Sequence, residues 1–110
     1  MRKILIIVSF ILILCGCNST KFDIQKLMSE NEYTIIDVRT KEEYEEQHIV
    51  ESINIPYDEI GKEINIDKEQ ILFVYCQSGN RSKIAFNKLT NLGYTVYDLG
   101  AISNIDLPKE

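Results

Sequence analysis

The segment Cys76-Gln77-Ser78-Gly79-Asn80-Arg81-Ser82 sets a thiol three residues before a glycine and five before a guanidinium, directly after the apolar run Ile71–Tyr75. If the run is a strand and a helix begins near Arg81 or Ser82, the backbone between them must turn sharply. Gly79 is free to take φ > 0 there. Successive N–H groups of such a turn point inward as a nest, beside the unpaired donors and positive dipole end of the helix. That cradle favours an anion, so it draws Cys76 toward the thiolate and can hold a negative group bonded to its sulfur. Arg81 adds a permanent cation whose forked donors suit a tetrahedral oxyanion. Thiolate, N–H cradle and guanidinium together make a nucleophilic-cysteine site. The competing reading is a buried cysteine serving as a small hydrophobe.

The surrounding elements decide whether the loop is placed for chemistry. Phe22–Ser29 has a loose helical pattern through Phe22, Ile24, Leu27 and Met28, and Tyr33–Asp37 is an apolar run ending on a carboxylate. Thr40 with Glu43 three residues on is a capping-box pattern, opening a short acidic helix Lys41–Gln47. Ser52–Ile55 reads as a short strand closed by Pro56, and Asp58–Ile64 as one or two helical turns weakened by Gly61. Ile71–Tyr75 is apolar without alternation, as in a strand buried on both faces. Ile84, Ala85, Leu89 and Leu92 suit a helix of about three turns ended by Gly93 at C′, and Tyr94–Leu99 is a final strand. Strands alternating with helices predict an α/β layer fold with a small, mostly parallel sheet flanked by helices. Ligands bind such sheets where strand C-termini meet helix N-termini, which is where Cys76 falls.

The N-terminal part is not fold material. Arg2 and Lys3 precede the apolar stretch Ile4–Leu14, interrupted by Ser9, a signal-peptide pattern too short to span a bilayer comfortably. Leu14-Cys15-Gly16-Cys17 follows it and resembles the lipobox of bacterial lipoproteins. The resemblance implies a signal peptide over 1–16, a lipidated Cys17 with a short tether over 17–21, and one domain over 22–110. It also implies a protein exported and lipid-anchored to a bacterial membrane, its domain on the extracytoplasmic side. An uncleaved anchor helix and an ordinary secretory signal are the alternatives. Without Arg2 and Lys3 the basic count is 10 against 17 acidic residues, a formal balance of −7. That surface argues against nucleic acid and against electrostatic adhesion to anionic lipid, leaving attachment to the lipid on Cys17. Of three cysteines only Cys76 lies in the domain, so no disulfide within it accounts for that thiol. One histidine and one thiol are too few for a zinc site, and no metal is expected.

The loop Cys76–Ser82 resembles the C-x-x-G-x-R-[ST] active-site loop of rhodanese-like sulfurtransferases. The upstream stretch Asp37–Pro56 is similar to a second signature of that family, an Asp-Val-Arg, an acidic-aromatic pair, a His-Ile and an Asn-Ile-Pro. Tyr97-Asp98-Leu99-Gly100 looks like its last strand and the glycine turn after it. The resemblance covers about residues 22–107 and implies the rhodanese-like fold with helices on both faces of the sheet. It implies that Cys76 attacks the outer sulfur of a small anionic donor such as thiosulfate, or of a persulfide. Cys76 then carries a transient persulfide, with no other cofactor, until an external thiol or other nucleophile takes the sulfur. Gln77, Ser78, Gly79, Asn80, Arg81 and Ser82 would bind the substrate, Arg81 guiding the anionic donor. Related phosphatases and arsenate reductases place five residues between cysteine and arginine. Here four intervene, a tighter ring suited to a single sulfur atom.

Asp37 and Arg39 are expected as a structural pair, and His48 as a capping or packing residue, because a thiolate held by a cradle needs no base. Glu42, Glu43, Glu45 and Glu46 read as a solvated helix face. Gln47 and Ala101 stand where the family commonly has glycine. A single short acidic domain is expected to be a monomer. The rival functional readings are a non-catalytic rhodanese-like module that binds a partner or senses sulfur species, and a redox sensor using the same thiol.

Overall fold

A computed structural model of the chain describes residues 22–61 and 64–110. The expected signal peptide, tether and lipidated Cys17 lie outside the described residues. The elements are α1 (Ile24–Glu30), β1 (Tyr33–Asp37), α2 (Lys41–Glu46), β2 (Ile53–Asn54), a 3-10 turn (Tyr57–Glu59), β3 (Ile71–Cys76), α3 (Asn80–Asn91), β4 (Thr95–Ala101) and a second 3-10 turn (Ile102–Asn104).

The four strands form one parallel sheet in the order β2-β1-β3-β4. β1 connects outward to β2 on one side and β3 outward to β4 on the other, so the chain reverses direction between β1 and β3. In open parallel sheets that reversal opens a crevice at the strand C-termini. Asp37 pairs with Tyr75 in register, which sets the ends of β1 and β3 side by side. All six residues of β3 are buried, as its unalternating composition requires.

Alternate residues of the central strands feed two cores. Ile36, Val38, Leu72, Val74, Cys76 and Val96 pack with Ala85 and Leu89 of α3. Ile35, Phe73 and Tyr75 pack on the opposite face with Ile49, Ile102 and Ile105, and Ile24, Leu27 and Met28 of α1 lie against them. Helices therefore cover both faces of the sheet. The Cys76 sulfur belongs to the α3 side.

Several boundaries differ from the sequence expectation for identifiable reasons. Of the turns expected over Asp58–Ile64, the described residues show the 3-10 turn Tyr57–Glu59, after which Ile60 turns extended to enter the core and Gly61 takes φ 115°, while 62 and 63 lie outside the described residues. The expected strand Ser52–Ile55 contracts to Ile53–Asn54, since the Ser52 backbone N–H bonds back to Ile49 O at 2.9 Å. β4 runs two residues further than expected, and the anticipated glycine turn at Gly100 is a register shift inside the strand opposite Val74/Tyr75. α3 ends in a Schellman arrangement, with Gly93 N–H on Thr90 O (3.0 Å) and Tyr94 N–H on Leu89 O (3.1 Å). Gly93 sits at φ 102°, which a side chain would strain. Gln47 and Ala101 are both extended, at φ −166° and −81°, so neither backbone position calls for glycine.

Candidate active site

β3 carries Cys76 to the crevice and α3 begins four residues later. Gly79 occupies the N-cap position at φ 102°, a left-handed conformation that lets the chain double back over the thiol. A Cβ on Gly79 would meet nothing within 4 Å, so backbone conformation, and not space, selects glycine. The turn aims two amides at the sulfur: Gly79 N–H donates to Cys76 Sγ at 2.9 Å and Ser82 N–H at 3.2 Å. The Ser82 hydroxyl donates to Gly79 O at 3.1 Å and locks the turn. The sulfur thus faces two donors at the N-terminus of a twelve-residue helix, where the positive dipole end favours negative charge on it. Cys76 is 1% exposed, while Gln77, Ser78 and Asn80 form an exposed rim.

The other side of the crevice is built on β1. Asp37 and Arg39 are 0% and 4% exposed. Arg39 Nε donates to both Asp37 oxygens (3.0 and 3.1 Å) and Nη2 to Oδ2 at 2.7 Å. Burial opposes the charge on Arg39, but the Asp37 hydrogen bonds outweigh it and raise its pKa. The rest of the guanidinium reaches Gln77 Oε1 through Nη1 (2.9 Å) and Gln47 O through Nη2 (2.5 Å). Arg39 therefore fastens the first residue of the Cys76 loop to the end of α2. Asn54 Nδ2 ties Asp37 O and Arg39 O from β2 at 2.9 and 3.0 Å. The Tyr75 hydroxyl accepts from Ile49 N–H and shares a hydrogen bond with Ser52 Oγ, both at 3.0 Å, and burial pushes its pKa up to about 12, so it stays a neutral brace.

Arg81 points at α2. Its Nη1 donates to Glu43 Oε1 at 2.8 Å and its Nη2 to Oε2 at 3.1 Å. Glu43 is also the N3 residue of a complete capping box, its Oε1 accepting from Thr40 N at 3.0 Å while Thr40 Oγ1 accepts from Glu43 N at 3.2 Å. The Arg81 hydrogen bond, with burial opposing it and the Thr40 amide assisting, holds the Glu43 carboxyl down at about 2. Arg81 is raised in turn, by the Glu43 hydrogen bond first. The sequence places Glu43 on a solvated face; the structure adds it to the site. The capping box fixes where Glu43 sits, but nothing linear couples it to an arginine 38 residues away.

His48 has its partners in Tyr44 and Glu110. Its ring stacks on Tyr44 with centroids 3.9 Å apart, Nδ1 is 2.8 Å from Tyr44 O, and Nε2 is 3.3 Å from Glu110 Oε2. Its backbone exchanges hydrogen bonds with Glu110 at 2.9 and 2.8 Å, strapping the 105–110 segment against the end of α2. The structure thus gathers Cys76, Gly79, Arg81 and Ser82 with Asp37, Arg39 and Gln77 at one crevice, and gives His48 a packing place.

A model of the Rhodanese-like domain matches residues 21–104. The chain is 38% identical over 78 residues to the thiosulfate sulfurtransferase PspE of Escherichia coli, covering 67% of this chain and 75% of that protein. It is 36% identical over 91 residues to a tRNA sulfurtransferase of Thermoplasma acidophilum, covering 69% of this chain but only 18% of that much longer protein. Among solved structures, a rhodanese with anions from E. coli superposes with a TM-score of 0.67 at 35% identity, covering 71% of this chain and 96% of that one. The cysteine loop, the parallel sheet that delivers it and a family match over residues 21–104 agree: the chain belongs to the rhodanese-like domain family.

Proposed function

We propose that this protein is a sulfurtransferase that accepts a sulfane sulfur from thiosulfate or a persulfide onto Cys76 and passes it to an external thiol. The observation that carries this reading is the pair of amides, Gly79 N–H and Ser82 N–H, aimed at Cys76 Sγ at the start of α3. The Cys76 thiolate attacks the outer sulfur of thiosulfate, a Cys–S–S bond forms, and the donor's S–S bond breaks with its electron pair leaving on sulfite. The persulfide anion inherits the cradle, whose donors and dipole stabilise charge without reorganising. An acceptor thiol then attacks the terminal sulfur, and the Cys76 thiolate leaves as the proton passes to the new persulfide. Among the described residues Cys76 is the free cysteine, so the acceptor comes from outside the domain. The four-residue interval between Cys76 and Arg81 supports sulfur over phosphate or arsenate as the group held. The likeness to PspE, a thiosulfate sulfurtransferase of E. coli, points the same way.

The reading extends to location. Arg2-Lys3, the apolar run and Leu14-Cys15-Gly16-Cys17 support export with lipid on Cys17, leaving the domain a monomer at the outer face of a bacterial membrane. The test of the chemistry is mass spectrometry of the full-length chain in detergent, digested and followed at the Cys76 peptide, with and without thiosulfate. The expected result is a gain of one sulfur atom on that peptide, removed by cyanide and absent from Cys76→Ala. No gain from thiosulfate or from a small persulfide would overturn the proposal and leave a partner-binding module.

A further inference from the structure

Arg81 does not stand free beside the thiol. Both ends of its fork are engaged by the two oxygens of Glu43, at 2.8 and 3.1 Å, and the two side chains are only 27% and 29% exposed. The Glu43 carboxylate cannot swing aside cheaply, because Thr40 N–H and Oγ1 also bond its Oε1, at 3.0 and 3.2 Å. The second guanidinium of the site, Arg39, is matched by buried Asp37. Each cation framing Cys76 thus carries its own counter-charge. The exposed face of α2 adds Glu42, Glu45 and Glu46, offset by Lys41, whose Nζ lies 3.9 Å from Glu45.

A dianionic donor meets this arrangement poorly. The sulfonate of thiosulfate lies one bond from the transferred sulfur, so its charge must enter the loop with it, next to a thiolate and within reach of Glu43. The Glu43 bonds engage two of the five Arg81 N–H donors, so a sulfonate that meets the others lies beside a half-buried carboxylate that offsets the cation's charge and repels the dianion. A protonated persulfide brings no such charge: Cys76 attacks its outer sulfur, the S–S bond breaks, and one thiolate leaves with the electron pair.

We infer that Glu43 is a specificity-determining residue: by neutralising Arg81 it sets the loop to take sulfur from a persulfide whose carrier has no anionic group near the transferred atom, in preference to thiosulfate. This rests on the sulfurtransferase reading and names the donor class for it.

The experiment measures the second-order rate constant for loading Cys76 in the full-length chain, with thiosulfate and with cysteamine persulfide as donors, across ionic strength. In the unaltered protein, loading by thiosulfate should accelerate as salt rises and screens the repulsion, while loading by the amine-bearing persulfide should not. Glu43→Gln should raise the thiosulfate rate constant about fivefold, the effect of removing one charge a few ångströms from a dianion in a watery site, and change the persulfide rate less than about twofold. Glu43→Asp, which keeps the charge, should keep the original donor ratio. Parallel slowing of both donors in Glu43→Gln, or an unchanged ratio, would reduce Glu43 to a loop support and overturn the inference. Thiosulfate loading that slows with salt in the unaltered protein would overturn it without any variant. Loading by neither donor would instead remove the sulfurtransferase reading itself.

Discussion

Replacing Asp37 with asparagine changes charge while keeping shape, and it isolates what the buried pair contributes. Asp37 and Arg39 are 0% and 4% exposed, and Asp37 accepts four hydrogen bonds from Arg39, one of them from the backbone. In Asp37→Asn the guanidinium stays buried, keeps neutral acceptors at Gln47 O and Gln77 Oε1, and loses its counter-charge. Breaking a buried pair in this one-sided way costs about 3–5 kcal/mol, against a total stability of about 5–15 kcal/mol for a domain. The cost arises from the uncompensated cation, so removing the cation as well should recover part of it. Asp37→Asn combined with Arg39→Met should be at least about 1.5 kcal/mol more stable than Asp37→Asn alone, although its loop has lost the tie to Gln77. Urea unfolding followed by circular dichroism suits a chain without tryptophan. With a slope of about 1.5 kcal/mol per molar, the single variant should lower the midpoint by roughly 2–3 M. A loss under about 1 kcal/mol, or a double variant no more stable than the single one, would refute the reasoning.

Acid should find a weak point at α2. The Glu43 carboxyl is depressed from 4.5 to about 2, so its stabilisation is present above pH 4.5 and disappears as pH falls from there toward 2. The depression corresponds to about 3 kcal/mol, reduced to roughly 1–2 kcal/mol by partial exposure, and unfolding of the unaltered protein and Glu43→Gln should converge across that window. Gly79→Ala forces a side chain to φ 102° and displaces an amide bonded to the sulfur; Cys76 loading should fall about tenfold by mass spectrometry. Gly93→Ala strains the far end of α3, and should cost roughly 1 kcal/mol in unfolding experiments while leaving loading unchanged. Because Cys76 is 1% exposed, a bulky maleimide should alkylate it at least about tenfold more slowly than a free cysteine peptide, measured on the Cys76 fragment.

Much of the site was legible because its parts are contiguous. The unalternating run Ile71–Tyr75, a lone thiol, Gly79 and the helix pattern after it announce strand, cradle and helix in one contiguous stretch, and the structure builds them there. The capping box was equally local, Thr40 and Glu43 being three residues apart. Other features depend on where strands meet in space. Arg39 finds Gln77, Ser52 finds Tyr75 and Arg81 finds Glu43 only because β1 and β3 are neighbours in the sheet, and no spacing rule along the chain encodes those meetings. At Ile60 tertiary demand overrides propensity, since the residue turns extended and buried directly after the 3-10 turn Tyr57–Glu59.

The contacts that cradle the thiol and those that confine it differ in contact order. The sulfur's two amides lie three and six residues along the chain, whereas the Arg39–Gln77 and Arg81–Glu43 ties each span 38 residues. Closing a longer loop costs more entropy, and parallel pairing of distant strands is intrinsically slow to form. During folding, the β3–α3 unit can assemble the nucleophile before β1 and α2 arrive to fence it. A folding chain therefore carries an unfenced cysteine for as long as that docking takes, open to oxidants and stray disulfides. Rapid arrival of the N-terminal half protects the chemistry as well as the fold.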